Sequence, residues 1–361
     1  MRALYQDAEL ASQLDNFEHM ERSAELSLAL ALKVSDKLDI AIARFYVGFA
    51  LYRLGDFDKA YVFMEQSLTE FQELNDPYWE AYTYRFLGIV LVTLGKITFE
   101  ERGIHKLDLA RKTGDKFSLA EALVSRSFQL LYFNHLDEAR RHAEEANALY
   151  KLIGSNNNSS GFTFAEIAWL QGDYKEARAV YMEMQERFAL LDEKNVRCVV
   201  VANLGILATE EGDFNQAHVY LEEALATARD IRNQDFIVRR LIELANVYYL
   251  EGNTEAFKQN YRESFLSVKN VDLFTKTYFL LFVLVSIFSQ KPEKTARLLG
   301  AIDILEREVP TYPLWKRYYY RAETHVRMTL DNAAFESGFA EGRKMSLDEA
   351  LSLALKTVEE M

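Results

Sequence analysis

The side chains that could carry out acid–base or metal chemistry do not form a recognisable constellation in this sequence. None of the six histidines belongs to an H-E-x-x-H or Cys/His metal pattern. His135, Glu138 and His142 would share one helical face, and we interpret that face as solvated. Acidic pairs such as Glu222-Glu223 fall on predicted helix exteriors, without the pocket that acid–base catalysis needs. The sequence therefore predicts no enzyme, no catalytic residue, no metal and no cofactor.

The single cysteine, Cys198, stands near the start of a predicted helix with no base motif beside it. A buried thiol is the interpretation that this position favours over a nucleophile. One cysteine cannot form a disulfide within the chain, and Met1–Tyr5 contains no apolar signal core. We therefore expect a cytoplasmic protein.

Net charge and hydropathy limit the partners. The formal net charge of −13 disfavours binding of the whole chain to nucleic acid or to an anionic membrane. The most apolar run, Tyr278–Phe288, is too short for a bilayer, which needs about 20 residues. It predicts a buried helix.

The segment Trp315–Arg321 mixes aromatic and basic residues, as single-stranded nucleic acid sites do, but an amphipathic helix with its rings turned inward explains it equally well.

A sequence motif, here called the repeat phrase, recurs about every 40 residues and indicates which structural elements position the candidate side chains. A small residue is followed, seven positions later, by a turn of the type Gly-Asp-aromatic and, after twelve positions, by alanine. The repeat predicts an array of units that each pack on their neighbours. Clear copies begin at Gly48, Ala165 and Gly205, and weaker ones at Ala8, Gly88, Ser127 and Ala245.

The repeat unit is predicted to be a pair of helices. Apolar residues at three- and four-residue spacing, four prolines and no strand pattern indicate an all-α chain. In the clearest copy we expect helices over about Ala41–Leu54 and Asp58–Leu74, the second capped by Asp56. Gly48 would let the second helix approach closely at Ala60, since glycine inside a helix otherwise costs ~1 kcal/mol relative to alanine.

The repeats also predict the division of the chain. We expect seven to eight helix pairs over residues 1–290. Residues 291–361 would form a helical C-terminal cap that is continuous with the array, because a terminal unit has to cover the last exposed face.

The small residue, the Gly-Asp-Tyr/Phe turn and the alanine resemble tetratricopeptide (TPR) repeats. That resemblance implies a right-handed superhelical solenoid of helix hairpins. The longer period, with Ala296–Ala301 and Phe339–Leu351, is similar to the MalT-like C-terminal region of bacterial signal-transduction ATPases with numerous domains and LuxR-type transcription regulators. The sequence lacks the phosphate loop of such ATPases, since Gly95-Lys96 has neither the upstream glycine nor the following hydroxyl residue. The resemblance therefore implies only the role of sensing a ligand or partner.

The resemblance further implies that the first helix of each pair lines a concave groove. Aromatic and arginine side chains at groove positions are typical of binding hot spots. Phe45 and Phe49 fall at such positions too. The predicted ligand or peptide groove comprises Tyr52, Arg53, Tyr82, Arg85, Glu166, Trp169, Arg239, Asn246 and Tyr249.

Three hypotheses for function remain at this point. The favoured one is a non-enzymatic TPR scaffold that binds a peptide, a protein segment or a small effector, as the sensor region of a bacterial signalling or transcription regulator. It would bind no nucleic acid directly and no membrane. The second is a structural adaptor that assembles with copies of itself into a homo-oligomer. The third is an enzyme with a site in the C-terminal part, which would need a deep polar pocket.

Overall fold

The computed structural model describes Asp7 and residues 17–155, 159–190, 193–268, 271–308 and 313–361. These residues form helices joined by short turns and contain no strand, so the all-α prediction is confirmed. The weak repeat copy at Ala8 lies outside the described residues. The helices are α1 (Phe17–Val34), α2 (Lys37–Leu54), α3 (Phe57–Glu73), α4 (Pro77–Thr93), α5 (Phe99–Thr113), α6 (Lys116–Tyr132), α7 (Leu136–Leu152), α8 (Ser160–Leu170), α9 (Tyr174–Leu190), α10 (Lys194–Glu211), α11 (Phe214–Asp230), α12 (Gln234–Leu250), α13 (Thr254–Val268), α14 (Leu273–Ile287), α15 (Pro292–Glu308), α16 (Pro313–Thr329), α17 (Asn332–Gly342) and α18 (Leu347–Glu359).

The repeat phrase forms the turn between the two helices of a pair. Gly55 ends α2 with φ +87°, a left-handed conformation that side-chain-bearing residues rarely adopt. The carboxylate of Asp56 then accepts a 3.2 Å hydrogen bond from the backbone N–H of Lys59 and caps α3. Asp213 caps α11 in the same way, through the N–H of Gln216 at 3.1 Å. The predicted capping role of Asp56 is confirmed.

The small residue of the phrase sets the distance between paired helices. A Cβ atom added to Gly48 would lie 2.8 Å from Cγ of Met64, and one added to Gly205 would lie 2.6 Å from Cγ of Leu221. Both separations are shorter than carbon atoms tolerate, so glycine is required for this packing. Ala60, at the predicted contact, is fully buried.

The chain divides into two compact units. Unit 1 comprises Met1–Gln129 and Arg141–Asn157, and unit 2 comprises Leu130–Arg140 and Asn158–Met361. In unit 2, one cluster of buried apolar side chains extends from Val238 in α12 to Val358 in α18. The division of the chain at residue 290 stays a prediction.

The apolar run Tyr278–Phe288 lies in α14 and at its C-terminal end. Its residues from Tyr278 to Leu284 are almost fully buried, so the predicted buried helix is confirmed. No described helix is both long and apolar enough to cross a bilayer.

The C-terminal helices pack through glycines of the two segments that resemble the ending of MalT-like regions. α15 and α17 cross so closely that a Cβ atom on Gly300 would lie 2.1 Å from the carbonyl oxygen of Phe339. A Cβ atom on Gly342 would lie 1.9 Å from the carbonyl oxygen of Arg297. These segments therefore have a packing role in this chain.

Candidate ligand-binding surface

Three of the four predicted groove residues of unit 1 lie around the ring of Phe86. Tyr52 on α2 and Tyr82 on α4 are half-buried, and their ring centroids lie 6.5 and 5.7 Å from that of Phe86. The guanidinium of Arg85 lies 5.6 Å from the same centroid. Helix periodicity explains the grouping, because Tyr82, Arg85 and Phe86 are three and four residues apart on α4.

Both predicted arginines of unit 1 are exposed. Arg53 lies in the last turn of α2, one residue after Tyr52, and Arg85 is one turn from Tyr82. We call Tyr52, Arg53, Tyr82 and Arg85 the α2/α4 surface. It offers aromatic rings for stacking and guanidinium groups for carboxylates or phosphates.

Phe45 and Phe49 do not belong to this surface. Phe45 is fully buried and Phe49 is 9% exposed. Their rings pack against those of Tyr82 and Phe86, with centroids 5.2 and 4.5 Å apart. The expectation that they line a groove is therefore wrong for these two residues, because they fill the space between α2 and α4.

Glu166, a predicted groove residue of unit 2, lies in a buried polar network. Its carboxylate accepts a 2.7 Å hydrogen bond from the hydroxyl of Tyr181. The side-chain amide of Asn203 donates to the same hydroxyl at 3.1 Å. Burial, followed by the charge of Glu166, raises the pKa of Tyr181 well above its ordinary value. The network joins α8, α9 and α10, and only 5% of Glu166 is exposed.

Trp169 is held by a second network that reaches the C-terminal part. Its indole N–H donates a 2.9 Å hydrogen bond to Glu210 on α10. Glu210 also forms an ion pair with Arg317 on α16 and accepts a 3.3 Å hydrogen bond from the hydroxyl of Tyr318. The guanidinium of Arg317 lies 5.9 Å from the centroid of the Trp169 ring system. Trp169 is only 4% exposed.

Arg239 connects neighbouring repeats in unit 2. Its Nε and Nη2 atoms donate hydrogen bonds of 3.0 and 2.8 Å to the hydroxyl of Thr275 on α14. Its guanidinium lies 4.6 Å from the ring centroid of Phe274. Burial and the adjacent charge of Arg240 lower the pKa of Arg239. The side chain is thus placed between α12 and α14.

Asn246 and Tyr249 complete the predicted set on α12. Asn246 is 9% exposed, and among the described residues no donor reaches its Oδ1 atom. Tyr249 is half-buried, with its ring centroid 5.5 Å from that of Phe257. The structure therefore brings Tyr52, Tyr82 and Arg85 together in unit 1, whereas the predicted residues of unit 2 lie mostly within internal contacts.

The segment Trp315–Arg321 shows what sequence reasoning missed. Trp315 packs on Tyr278, with centroids 4.3 Å apart, while Arg317 and Tyr318 contact Glu210. The rings of Trp315, Tyr318 and Tyr319 turn inward, as the amphipathic-helix interpretation expects, whereas Tyr320 is 53% exposed. No local sequence signal marks Glu210 as their partner, since it lies more than 100 residues away.

The cysteine and the possible metal-binding side chains show no arrangement for chemistry in the described part of the chain. The thiol of Cys198 is fully buried and lies 3.3 Å from the carbonyl oxygen of Ala224, to which it donates. Burial raises its pKa, which disfavours the reactive thiolate. Within the described part of the chain, no group of three His, Cys, Asp or Glu side chains is placed to hold a metal ion.

Comparison with known proteins agrees with the helix pairs. Residues 165–181 match the tetratricopeptide repeat family. This segment runs from the small residue Ala165 through the turn at Gly172 and past Ala177. No curated protein matches the sequence.

Several solved structures share the fold. A tetratricopeptide repeat protein from Parabacteroides merdae ATCC 43184 has a TM-score of 0.53 at 10% identity, over 73% of this chain and 91% of that one. A Rap protein complexed with competence and sporulation factor has a TM-score of 0.57 at 17% identity, over 93% and 99%. The Rap conjugation gene regulator of plasmid pLS20, in complex with the Phr* peptide, has a TM-score of 0.51 at 13% identity, over 83% and 78%. This chain is accordingly an all-α protein of TPR-like helical repeats.

Proposed function

We propose that this chain is a non-enzymatic scaffold that binds a peptide or protein segment on the α2/α4 surface. The observation that carries the proposal is the grouping of Tyr52, Tyr82 and Arg85 around Phe86, with Arg85 exposed. Tyrosine and arginine dominate binding hot spots, because each buries a large area and still offers a polar group.

The chemistry of this surface suits an extended segment. The two half-buried tyrosine rings would pack on apolar side chains of the ligand without much loss of conformational entropy, since Phe86 already restrains them. Arg85 would bind a carboxylate of the ligand. A segment with an apolar or aromatic residue next to an acidic one therefore fits best.

Two further considerations support the proposal. The pLS20 Rap regulator, which has a similar fold, is bound to the Phr* peptide. From the resemblance to MalT-like regions, we propose further that such a scaffold serves as the sensor region of a bacterial signalling or transcription regulator. We propose, as part of the same function, that the protein is located in the cytoplasm.

Peptide selection with footprinting tests this function. Decapeptides selected from a random library on the full chain would be added at saturation, and amide hydrogen exchange would be followed by mass spectrometry. Protection that covers α2 and α4 is expected. Protection confined to other helices would remove the α2/α4 surface from the proposal.

Sedimentation of the same samples tests the alternative of a self-assembling adaptor. A scaffold for peptides is expected to keep its sedimentation coefficient as its concentration rises. A concentration-dependent increase, together with failure to select any peptide, would favour the adaptor.

A further inference from the structure

Three cationic side chains are grouped beside the α2/α4 surface. Arg85 lies on α4, and Arg102 and Lys106 are one turn apart on α5. The side chain of Arg102 lies across Gly88 of α4, since a Cβ atom there would be 3.1 Å from its Cγ and 3.3 Å from its Nε. Glycine at this position thus gives the arginine access between the two helices.

The group lacks a matching set of carboxylates. None of the three cations forms a salt bridge with a described residue. Nearby acids are engaged elsewhere: Glu100 pairs with Arg126 at 3.3 Å, and Glu101 accepts hydrogen bonds from Thr98 at the start of α5.

Among the described residues, Glu121 on α6 is the acid whose charge favours the protonated form of Lys106, and its carboxylate accepts a hydrogen bond from the hydroxyl of Tyr150. The charges that act on Lys106 are therefore Arg102 of its own helix, Arg85 of α4 and Glu121 of α6. The positive charges of Arg102 and Arg85 together outweigh the negative charge of Glu121, so the net effect disfavours the protonated form of Lys106.

This grouping is unfavourable for the ligand-free chain. Burial, then the charges of Arg102 and Arg85, lower the pKa of Lys106 to about 8. Burial lowers the pKa of Arg102, and the charge of Arg85 adds to that effect. Lys106 and Arg102 remain half-buried rather than sealed, so a ligand can reach them. The chain is acidic, with net charge −13, yet within the part that the structure describes no carboxylate forms a salt bridge with these three cations.

We propose that Arg85, Arg102 and Lys106 form a site for an oxyanion, a carboxylate or a phosphate group of the ligand. Arginine presents paired N–H donors to such a group, and lysine adds a point charge. The inference rests on the proposed function, because Arg85 belongs to both the α2/α4 surface and the cationic group. It adds that the bound segment carries a negative charge at the α5 end of the surface.

The titration of Lys106 tests the site directly. Reductive methylation with ¹³C-formaldehyde makes every lysine amine visible by NMR, and Lys106→Arg identifies the signal. Without an anion, this amine is expected to titrate near pH 8. Inorganic phosphate or tetra-aspartate should move the midpoint toward about 10.4, the ordinary lysine value, because the bound anion stabilises the charged amine. Tetra-asparagine should leave it unchanged.

The two probes distinguish the source of the oxyanion. A shift with tetra-aspartate identifies a peptide carboxylate, and a shift with phosphate alone identifies a free phosphate. Arg102→Gln should lower the affinity for whichever probe shifts the midpoint by about tenfold. Lys112→Gln, at an exposed position of the same helix, should leave that affinity unchanged. A midpoint that neither probe moves overturns the site.

Failure of the oxyanion site can be separated from failure of the proposed function. Selected peptides that protect α2 and α4 without changing the titration of Lys106 would leave the scaffold standing and remove the oxyanion site. If phosphate shifts the titration midpoint of Lys106 but no peptide protects α2 and α4 from hydrogen exchange, the oxyanion site stands and the peptide scaffold is removed.

Discussion

The indole N–H of Trp169 donates a 2.9 Å hydrogen bond to the carboxylate of Glu210. The same carboxylate forms an ion pair with Arg317 of α16. Trp169 has the residue type and repeat position of a ligand anchor, yet its polar atom is already bonded within the chain. One internal carboxylate thereby joins α8, α10 and the C-terminal helix α16.

Removing the charge of Glu210 should loosen α16. Glu210→Gln weakens the ion pair and both hydrogen bonds, so the free energy of unfolding should fall by about 1–3 kcal/mol. Amide hydrogen exchange in α16 should become faster. Glu211→Gln is the control, because Glu211 pairs with Arg178 at a more exposed site. Equal exchange in α16 for both variants would contradict the role of Glu210.

The close crossing of α15 and α17 gives a prediction on stability. Gly342→Ala places a methyl group 1.9 Å from the carbonyl oxygen of Arg297, and backbone atoms cannot move aside without separating the helices. The expected loss is about 3 kcal/mol in urea unfolding. Gly338→Ala is the matched variant on α17, because the atom nearest to its methyl would be the Cβ of Ala296, at 3.2 Å. It should change stability by less than about 1 kcal/mol, and equal losses would refute the close crossing.

The fold follows from local rules that the sequence displays. Gly55 and Asp56 end one helix and begin the next through their own backbone and side-chain chemistry, so the position of the turn is readable without tertiary information. Gly48 is informative for a similar reason, because a recurring glycine inside a helix needs a packing cause. The predicted helix Ala41–Leu54 is observed as Lys37–Leu54.

The surroundings of candidate site residues were less predictable. The repeat position places Trp169 and Arg239 correctly on their helices, but their partners Glu210 and Thr275 lie about 40 residues away. Phe45 and Tyr82 occupy comparable groove positions, and only packing between α2 and α4 decides that the first is buried. Periodicity identifies a helical face, whereas burial of that face depends on neighbouring repeats.

Lys106 should make stability depend on pH. Its folded-state pKa of about 8 lies below the unfolded value of about 10.4, so folding carries the cost of a buried charge at neutral pH. As pH rises from 8 toward 10.4, the folded amine loses its proton first and this cost falls. Lys106→Met should therefore stabilise the protein by about 1 kcal/mol at pH 7 and by less at pH 9.5.

Urea unfolding in a low-salt buffer without phosphate measures this difference, because an anion in the cationic group would remove the cost. Lys112→Met, at an exposed position of α5, is the control and should show no such dependence. A stabilisation by Lys106→Met that is equal at both pH values would show that the buried charge of Lys106 does not destabilise the folded protein.

Arg239 should act on stability rather than on ligand affinity. Arg239→Ala removes two hydrogen bonds to Thr275 and should lower the free energy of unfolding by about 1–3 kcal/mol. Arg229→Ala, which breaks an exposed pair with Glu263, should cost less than about 1 kcal/mol. Affinity for selected peptides should be the same in both variants. A selective loss of affinity in Arg239→Ala would place the ligand in unit 2.

Calorimetry with a selected peptide tests the central claim, binding on the α2/α4 surface, most directly. The peptide is titrated into the wild type, Arg85→Ala and Arg111→Ala, the last at an exposed arginine of α5. The account predicts equal affinity for the wild type and Arg111→Ala, and affinity at least about tenfold lower for Arg85→Ala, which loses about 1.4 kcal/mol or more of binding free energy. Equal affinity for all three proteins would contradict it.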